Sequence, residues 1–179
     1  MIQFTIPGNA IPKGRPRTRI MPVKGGADAM RAFELEVKAG KWNPYSVFNK
    51  MRDMAKQFQG FVSIYTPKET VEYEAKVSAI ARAAMRGKPP SAAPIEIMLE
   101  LRMPIPVSWS KAKRAAAAAG LVRHTKKPDA GNIQKAIEDA MNEIVYVDDS
   151  QIVVTTVRKL YHEEPCAIVA VRVVDGESA

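Results

Sequence analysis

Between residues 95 and 102, Ile95, Ile97, Leu99 and Leu101 are interleaved one for one with Glu96, Met98, Glu100 and Arg102. A period of two predicts a strand with one buried face. Upstream the period changes. Tyr73, Val77, Ile80, Ala81 and Ala84 recur at helical spacing, behind the start signal Thr66-Pro67-Lys68-Glu69 and ahead of the stop Gly87-Lys88-Pro89-Pro90. Residues 108–119 read as a helix capped by Ser108 or Ser110 and closed by Gly120. Ile133, Ile137, Ala140, Met141 and Ile144 mark a second amphipathic helix over about 131–144. Short strands are predicted at 2–6, about 151–160 and 166–174, the last two joined by a turn near Glu163-Glu164-Pro165.

The weakest pattern lies at 20–62, where Gly25-Gly26, Gly40 and Pro44 interrupt the chain and only 29–38 and 47–58 suit helices. It reads as a basic insertion within a single domain spanning 1–179. The order β, α, β, α, α, β, β indicates an α+β fold, a small mixed or mainly antiparallel sheet packed with helices.

Charge narrows the function. The chain carries 27 Lys and Arg against 19 Asp and Glu, a net +8 that favours a polyanionic partner, nucleic acid above all. No apolar run approaches the ~18 residues of a membrane span. The N-terminal stretch lacks the basic and apolar regions of a signal peptide, and Cys166 has no second cysteine to pair with. A cytoplasmic setting is therefore expected. With two histidines and one cysteine, a Cys/His zinc site is nearly excluded, so a metal would need oxygen ligands, as magnesium or manganese does.

Candidate chemistry concentrates in Lys127-Pro128-Asp129-Ala130-Gly131-Asn132, Lys135, and Asp148-Asp149. On a helix, Asn132, Lys135, Asp139 and Asn142 share one face. Asp129 at its start either holds a cation, beside backbone N–H groups suited to a phosphate, or simply caps the helix. Asp148-Asp149 is either a ligand pair, with Asp149 the better candidate and Asp148 its support, or an ordinary turn. Around these acids lie basic stretches: Lys13, Arg15 and Arg17 in one loop, and Lys111, Lys113, Arg114, Lys126 and Lys127 in an acid-free run. These, with Asn132, are the candidate DNA contacts, neutralising phosphates with little base reading. Trp109 either stacks on an unpaired base or anchors its own helix.

Taken together, Lys-Pro-Asp-x-x-Asn-x-x-Lys followed by Tyr146-Val147-Asp148-Asp149-Ser150-Gln151-Ile152 resembles the RusA family of Holliday junction resolvases, common in phages and prophages. Lys13-Gly14-Arg15-Pro16-Arg17, Tyr65-Thr66-Pro67 with Tyr73-Glu74, Pro106-x-Ser108-Trp109-Ser110 and Lys159 extend the likeness. The resemblance implies a magnesium-dependent endonuclease, with manganese an alternative ion. It would act as a homodimer that nicks opposed strands of a four-way DNA junction in a bacterial or phage-infected cell. It implies metal-binding carboxylates at Asp129 and Asp149 and an essential lysine at Lys135. The family's usual Asp-x-Asp-Asn is Asp-Ala-Gly-Asn here, so Gly131 stands where a third carboxylate is expected. Asp148, Asp139 and Glu138 are the acids available to compensate. Two other readings stay open: a branched-DNA-binding protein with a degenerate, non-cleaving site, and a nucleic-acid adaptor. Phe33, Leu35 and Val37 are read as exposed apolar positions that leave room for a dimer contact.

Overall fold

A computed structural model describes residues 1–21, 27–40, 43–57 and 61–174. The chain divides into two compact units, Met1–Gly14 with Lys68–Ala179 and Arg15–Pro67.

The first unit is built on a four-stranded sheet in the order β1-β6-β4-β5, from β1 (Ile2–Pro7), β4 (Ile95–Pro104), β5 (Ile152–His162) and β6 (Cys166–Val173). β6 runs antiparallel to both β1 and β4, whereas β4 and β5 are parallel, so the sheet is mixed as expected. A parallel pair needs a long crossover, and residues 105–151 supply it with α4 (Lys111–Ala118) and α5 (Ala130–Met141).

The alternation in β4 is realised in full: Ile95, Ile97, Leu99 and Leu101 are buried. They meet Phe4 and Ile6 of β1, Ala167, Val169 and Val171 of β6, and the inner stripes of α3 (Lys68–Met85) and α5. On the opposite face the charges pair. Across strands, Arg172 reaches Glu96 at 2.5 Å and Arg158 reaches Glu100 at 3.8 Å, while along β4 itself Arg102 meets Glu100 at 2.8 Å. Sequence spacing on α3 holds too, with Tyr73, Val77 and Ala81 buried and Ile80 and Ala84 partly so. Ser78 on α3 donates to the Ala140 carbonyl on α5 at 2.8 Å, tying the two helices together.

Of the two serines expected as caps, Ser110 caps α4, accepting from the Lys113 amide, so the helix starts at Lys111 rather than at 108. α5 ends at Met141, three residues short of the apolar stripe, because Glu143 adopts a left-handed φ of 60°. Ile144 nevertheless reaches the core, from the turn rather than from the helix.

The second unit pairs β2 (Arg17–Met21) with β3 (Phe61–Tyr65), antiparallel, from Arg17 opposite Tyr65 to Met21 opposite Phe61. Between them lie α1 (Ala27–Lys38) and α2 (Pro44–Gln57), where helices at 29–38 and 47–58 are expected. Phe58 and the Gly25-Gly26 break fall outside the described residues. Phe33 is not exposed: it is buried and lines, with Val37, Val47, Met51 and Tyr65, a cavity of about 460 Å³. Leu35 alone of the three apolar positions stands open, at 64%. Alternation around a helix, not along a strand, explains this: Phe33 and Val37 are four apart and share a face that Leu35 does not.

Candidate functional site

Asp129 is the N-cap of α5, and its Oδ1 accepts from the Gly131 amide at 2.9 Å. The cap therefore fixes the aspartate at the helix mouth, where unpaired N–H groups and the helix dipole favour an anion. The segment leading in, with a cis Lys127-Pro128 bond, is held by Lys159 of β5, whose ammonium donates to the carbonyls of Lys126 at 3.0 Å and Pro128 at 2.9 Å. Gly131 sits in the first helical turn. A Cβ built there would meet Asp129 Oδ1 at 3.6 Å, an ordinary contact, so the backbone does not demand glycine.

One turn further along, the Lys135 ammonium lies 2.8 Å from Asp139 Oδ1 and 3.3 Å from Asp149 Oδ2. Asp139 Oδ2 in turn takes Lys13 at 2.8 Å, and Lys13 also reaches Glu74 of α3 at 2.6 Å. The result is an unbroken alternation, Glu74–Lys13–Asp139–Lys135–Asp149, inner end shielded and outer end open: side-chain exposure is 23% at Glu74, 25% at Asp139 and 48% at Asp149. Lys135 is held above the ordinary lysine range by Asp139 first, against a smaller desolvation effect, and then by Asp149. Burial pulls Lys13 down, but Asp139 and Glu74 outweigh it and leave it raised. Burial pushes Asp139 up, and Lys13 and Lys135 together bring it below the usual carboxylate range.

Lys13, expected among the DNA contacts, has its ammonium shared by two carboxylates, and its loop is pinned: the Lys13 amide donates to the Asn132 carbonyl at 2.7 Å and the Gly14 amide to Thr70 Oγ1 at 3.1 Å. No local period signals Glu74 and Lys13 as partners of this network, because Lys13 lies 61 positions from Glu74 and further still from Asp139.

Asp148 and Asp149 sit at a single 3-10 turn, Asp149–Gln151. Asp148 caps it, accepting from the Ser150 amide at 2.9 Å, and the Ser150 hydroxyl first, then that amide, hold its carboxyl below the usual range. Gln151 completes the capping box through the Asp148 amide and donates to the Ser91 and Ala93 carbonyls, each at 2.9 Å. Asp149 is thereby presented beside Lys135 while Asp148 is spent on the turn. Glu138, another of the acids available to compensate for Gly131, is buried and accepts from Gln134 at 2.9 Å and Thr155 at 3.0 Å.

The remaining basic positions separate. Lys111, Lys113 and Arg114 are exposed on the first turn of α4, and Lys126 and Lys127 on the segment entering α5. Arg15 and Arg17 belong to the second unit, Arg17 opening β2. Trp109 meets Tyr161 of β5 edge-on at 5.0 Å, with the Lys113 ammonium 4.1 Å from its ring centre. His124 leans on the same tyrosine at 4.5 Å, its ring held below the ordinary histidine range by burial and then by Lys159.

Among the described residues no group of three or more His, Cys, Asp or Glu is placed to hold a metal ion. The acids expected to bind metal, Asp129 at the helix mouth and Asp149 beside Lys135, carry hard carboxylate oxygens, the donor type a hard divalent cation takes while keeping most of its water. No helix among the described residues is long and apolar enough to cross a membrane.

This arrangement, a mixed sheet carrying a capped helix mouth with a lysine and two acids, has a known class. The profile of the family described as Endodeoxyribonuclease RusA matches residues 44–172, most of the chain, and the chain belongs to that family. It is thus an endodeoxyribonuclease of the Holliday junction resolvase type, a group whose nucleases depend on divalent metal ions and act on branched DNA. The chain is also 31% identical over 177 residues, 98% of each sequence, to "Uncharacterized protein YqaN" of Bacillus subtilis (strain 168).

Proposed function

We propose that the chain is a magnesium-dependent endonuclease that resolves four-way DNA junctions by paired nicks from a homodimer in the cytoplasm. The observation that carries this reading is the approach of Lys135 to Asp149, 3.3 Å apart, beside a helix whose N-cap is Asp129. Asp129 and Asp149 would hold the ion, with manganese an acceptable substitute and Asp148 maintaining the turn that presents Asp149. Bound there, the cation would supply an activated water and offset charge on the phosphate.

The chain's own groups do the rest. Free amides at the start of α5 receive a phosphate oxygen. Lys135 places a fixed positive charge beside the same phosphate and gives a proton to the departing oxygen. Lys111, Lys113, Arg114, Lys126, Lys127, Arg15 and Arg17 neutralise flanking phosphates, which orients the duplex arms without reading bases. Asn132 lines the exposed face of the same turn. A two-fold dimer matches the symmetry of a four-way junction and gives one cut on each of two opposed strands.

A second reading is favoured by Gly131 and by the lack of a three-acid cluster among the described residues: a protein that binds branched DNA without cutting it. Incubating the full chain with an end-labelled four-way junction, with magnesium and with EDTA, separates the two. Symmetric nicks that need the ion and vanish in Asp149→Asn support the nuclease. A tight junction complex that never nicks sinks it in favour of the binder.

A further inference from the structure

We infer that Asp139 is a positioning residue that draws the Lys135 ammonium off Asp149, so that one lysine is partitioned between a structural carboxylate and a metal-binding one. The inference rests on reading Asp149 as a metal ligand. Three observations carry it. The ammonium sits nearer Asp139, 2.8 Å against 3.3 Å for Asp149. Asp139 is more shielded, with 25% side-chain exposure against 48%, so its attraction is less screened by water and salt. And Asp139 does not depend on Lys135 for its own place. Its other oxygen takes Lys13 at 2.8 Å, whose amide is bonded to α5 at 2.7 Å and whose ammonium is bonded to Glu74 of α3.

The partition has a chemical consequence. A cation arriving at Asp149 competes with an ammonium already there. If Lys135 had Asp149 as its only partner, that competition would be at its strongest, and the displaced lysine would swing into solvent. Asp139 weakens the hold on Asp149 and keeps the ammonium at the site once Asp149 turns to the ion. Lys135 then faces the phosphate without having to be ordered again. The Lys13–Glu74 pair behind it fixes the carboxylate that does this.

The test is a titration of the full chain with manganese alone, read by electron paramagnetic resonance, for the unaltered protein, Asp139→Asn, Lys135→Met and the double variant. Asp139→Asn should weaken manganese binding roughly two- to fivefold, and Lys135→Met should strengthen it by a similar factor. In the Lys135→Met background, Asp139→Asn should then change affinity by no more than about 1.5-fold, the residue of a screened charge that does not touch the ion. Asp139→Glu should restore the unaltered affinity, and thermal melts confirm that each variant is folded. An equal loss with and without Lys135 would make Asp139 a ligand in its own right and overturn the inference, as would unchanged affinity in Asp139→Asn. Failure of the unaltered chain to bind manganese at all overturns the metal-site reading, and the partition falls with it.

Discussion

Lys159, on the edge strand β5, donates its ammonium to the carbonyl of Pro128 at 2.9 Å, one residue ahead of the helix cap Asp129. The same ammonium takes the Lys126 carbonyl at 3.0 Å. A cation on the sheet thus fixes the path of the segment that delivers a candidate metal ligand, without facing the ligand itself. Lys159→Met removes two charge-assisted hydrogen bonds and should cost about 1–2 kcal/mol of stability. Because the segment carries Asp129, junction cleavage should fall by more than the folded fraction does. Parallel melts and single-turnover rates check this, and equal losses in both would argue for a purely structural lysine.

Gly131 makes the opposite prediction, a gain. The Cβ position has room, 3.6 Å from Asp129 Oδ1, and an acid in the first helical turn suits the dipole. Gly131→Asp should therefore fold normally. It should also raise affinity for magnesium or manganese by on the order of tenfold, since an added carboxylate tunes such sites strongly. Without metal the two nearby carboxylates repel, so its melting temperature should rise more on adding magnesium than that of the unaltered chain. Calorimetric titration and melts with and without the ion decide the point.

The Lys13–Asp139 pair predicts a pH window. Asp139 is held below its ordinary range, so its contribution is present above the unfolded carboxylate value, about 3.9, and is lost as pH falls through the lower folded value. Lys13 is raised, so its contribution is complete below about 10.4 and is lost as pH rises through the higher folded value. Asp139→Asn should accordingly destabilise by about 1 kcal/mol at neutral pH, and the deficit should close at both extremes. Melting temperature against pH for the two proteins tests both limbs.

Salt dependence should sort the basic residues. Replacing Lys111 and Arg114, exposed on α4, with alanine should lower the slope of log junction affinity against log salt by about two, with little effect on melting. Lys13→Ala should do the reverse, changing stability and leaving the slope nearly unaltered, because its ammonium is committed to Glu74 and Asp139. A slope loss in Lys13→Ala would return that residue to the DNA surface.

Much of this was legible in the chain, and the physics of each element says why. The strict alternation in β4 and the i, i+4 stripes of α3 and α5 state their buried faces locally. Asp129 at a helix mouth and Lys135 one turn in follow from the same periodicity, and Ser108 or Ser110 as a cap follows from residue type. The hairpin of β2 and β3 was not readable: Arg17-Thr18-Arg19-Ile20-Met21 shows no clean alternation, and its partner lies some forty residues away. The end of α5 was misjudged because Ile144 keeps the stripe while Glu143 breaks the backbone. Trp109 gave two readings in sequence, and its edge-on contact with Tyr161 supports the anchor. Glu74, Lys13 and Gln151 act through partners remote in sequence, and only the folded chain brings them together.

The pairing of Arg17 with Tyr65 brings the two ends of the second unit alongside one another, and on the other side of the cut Gly14 already touches Thr70 at 3.1 Å. Entry and exit therefore close like the neck of a purse. All four strands of the larger sheet come from the first unit, so none of them depends on residues 15–67 for its pairing. A bridge of a few residues from Gly14 to Lys68 would span the gap. The β2–β3 ladder thus gives residues 15–67 a closure of their own, formed without a strand from the larger sheet.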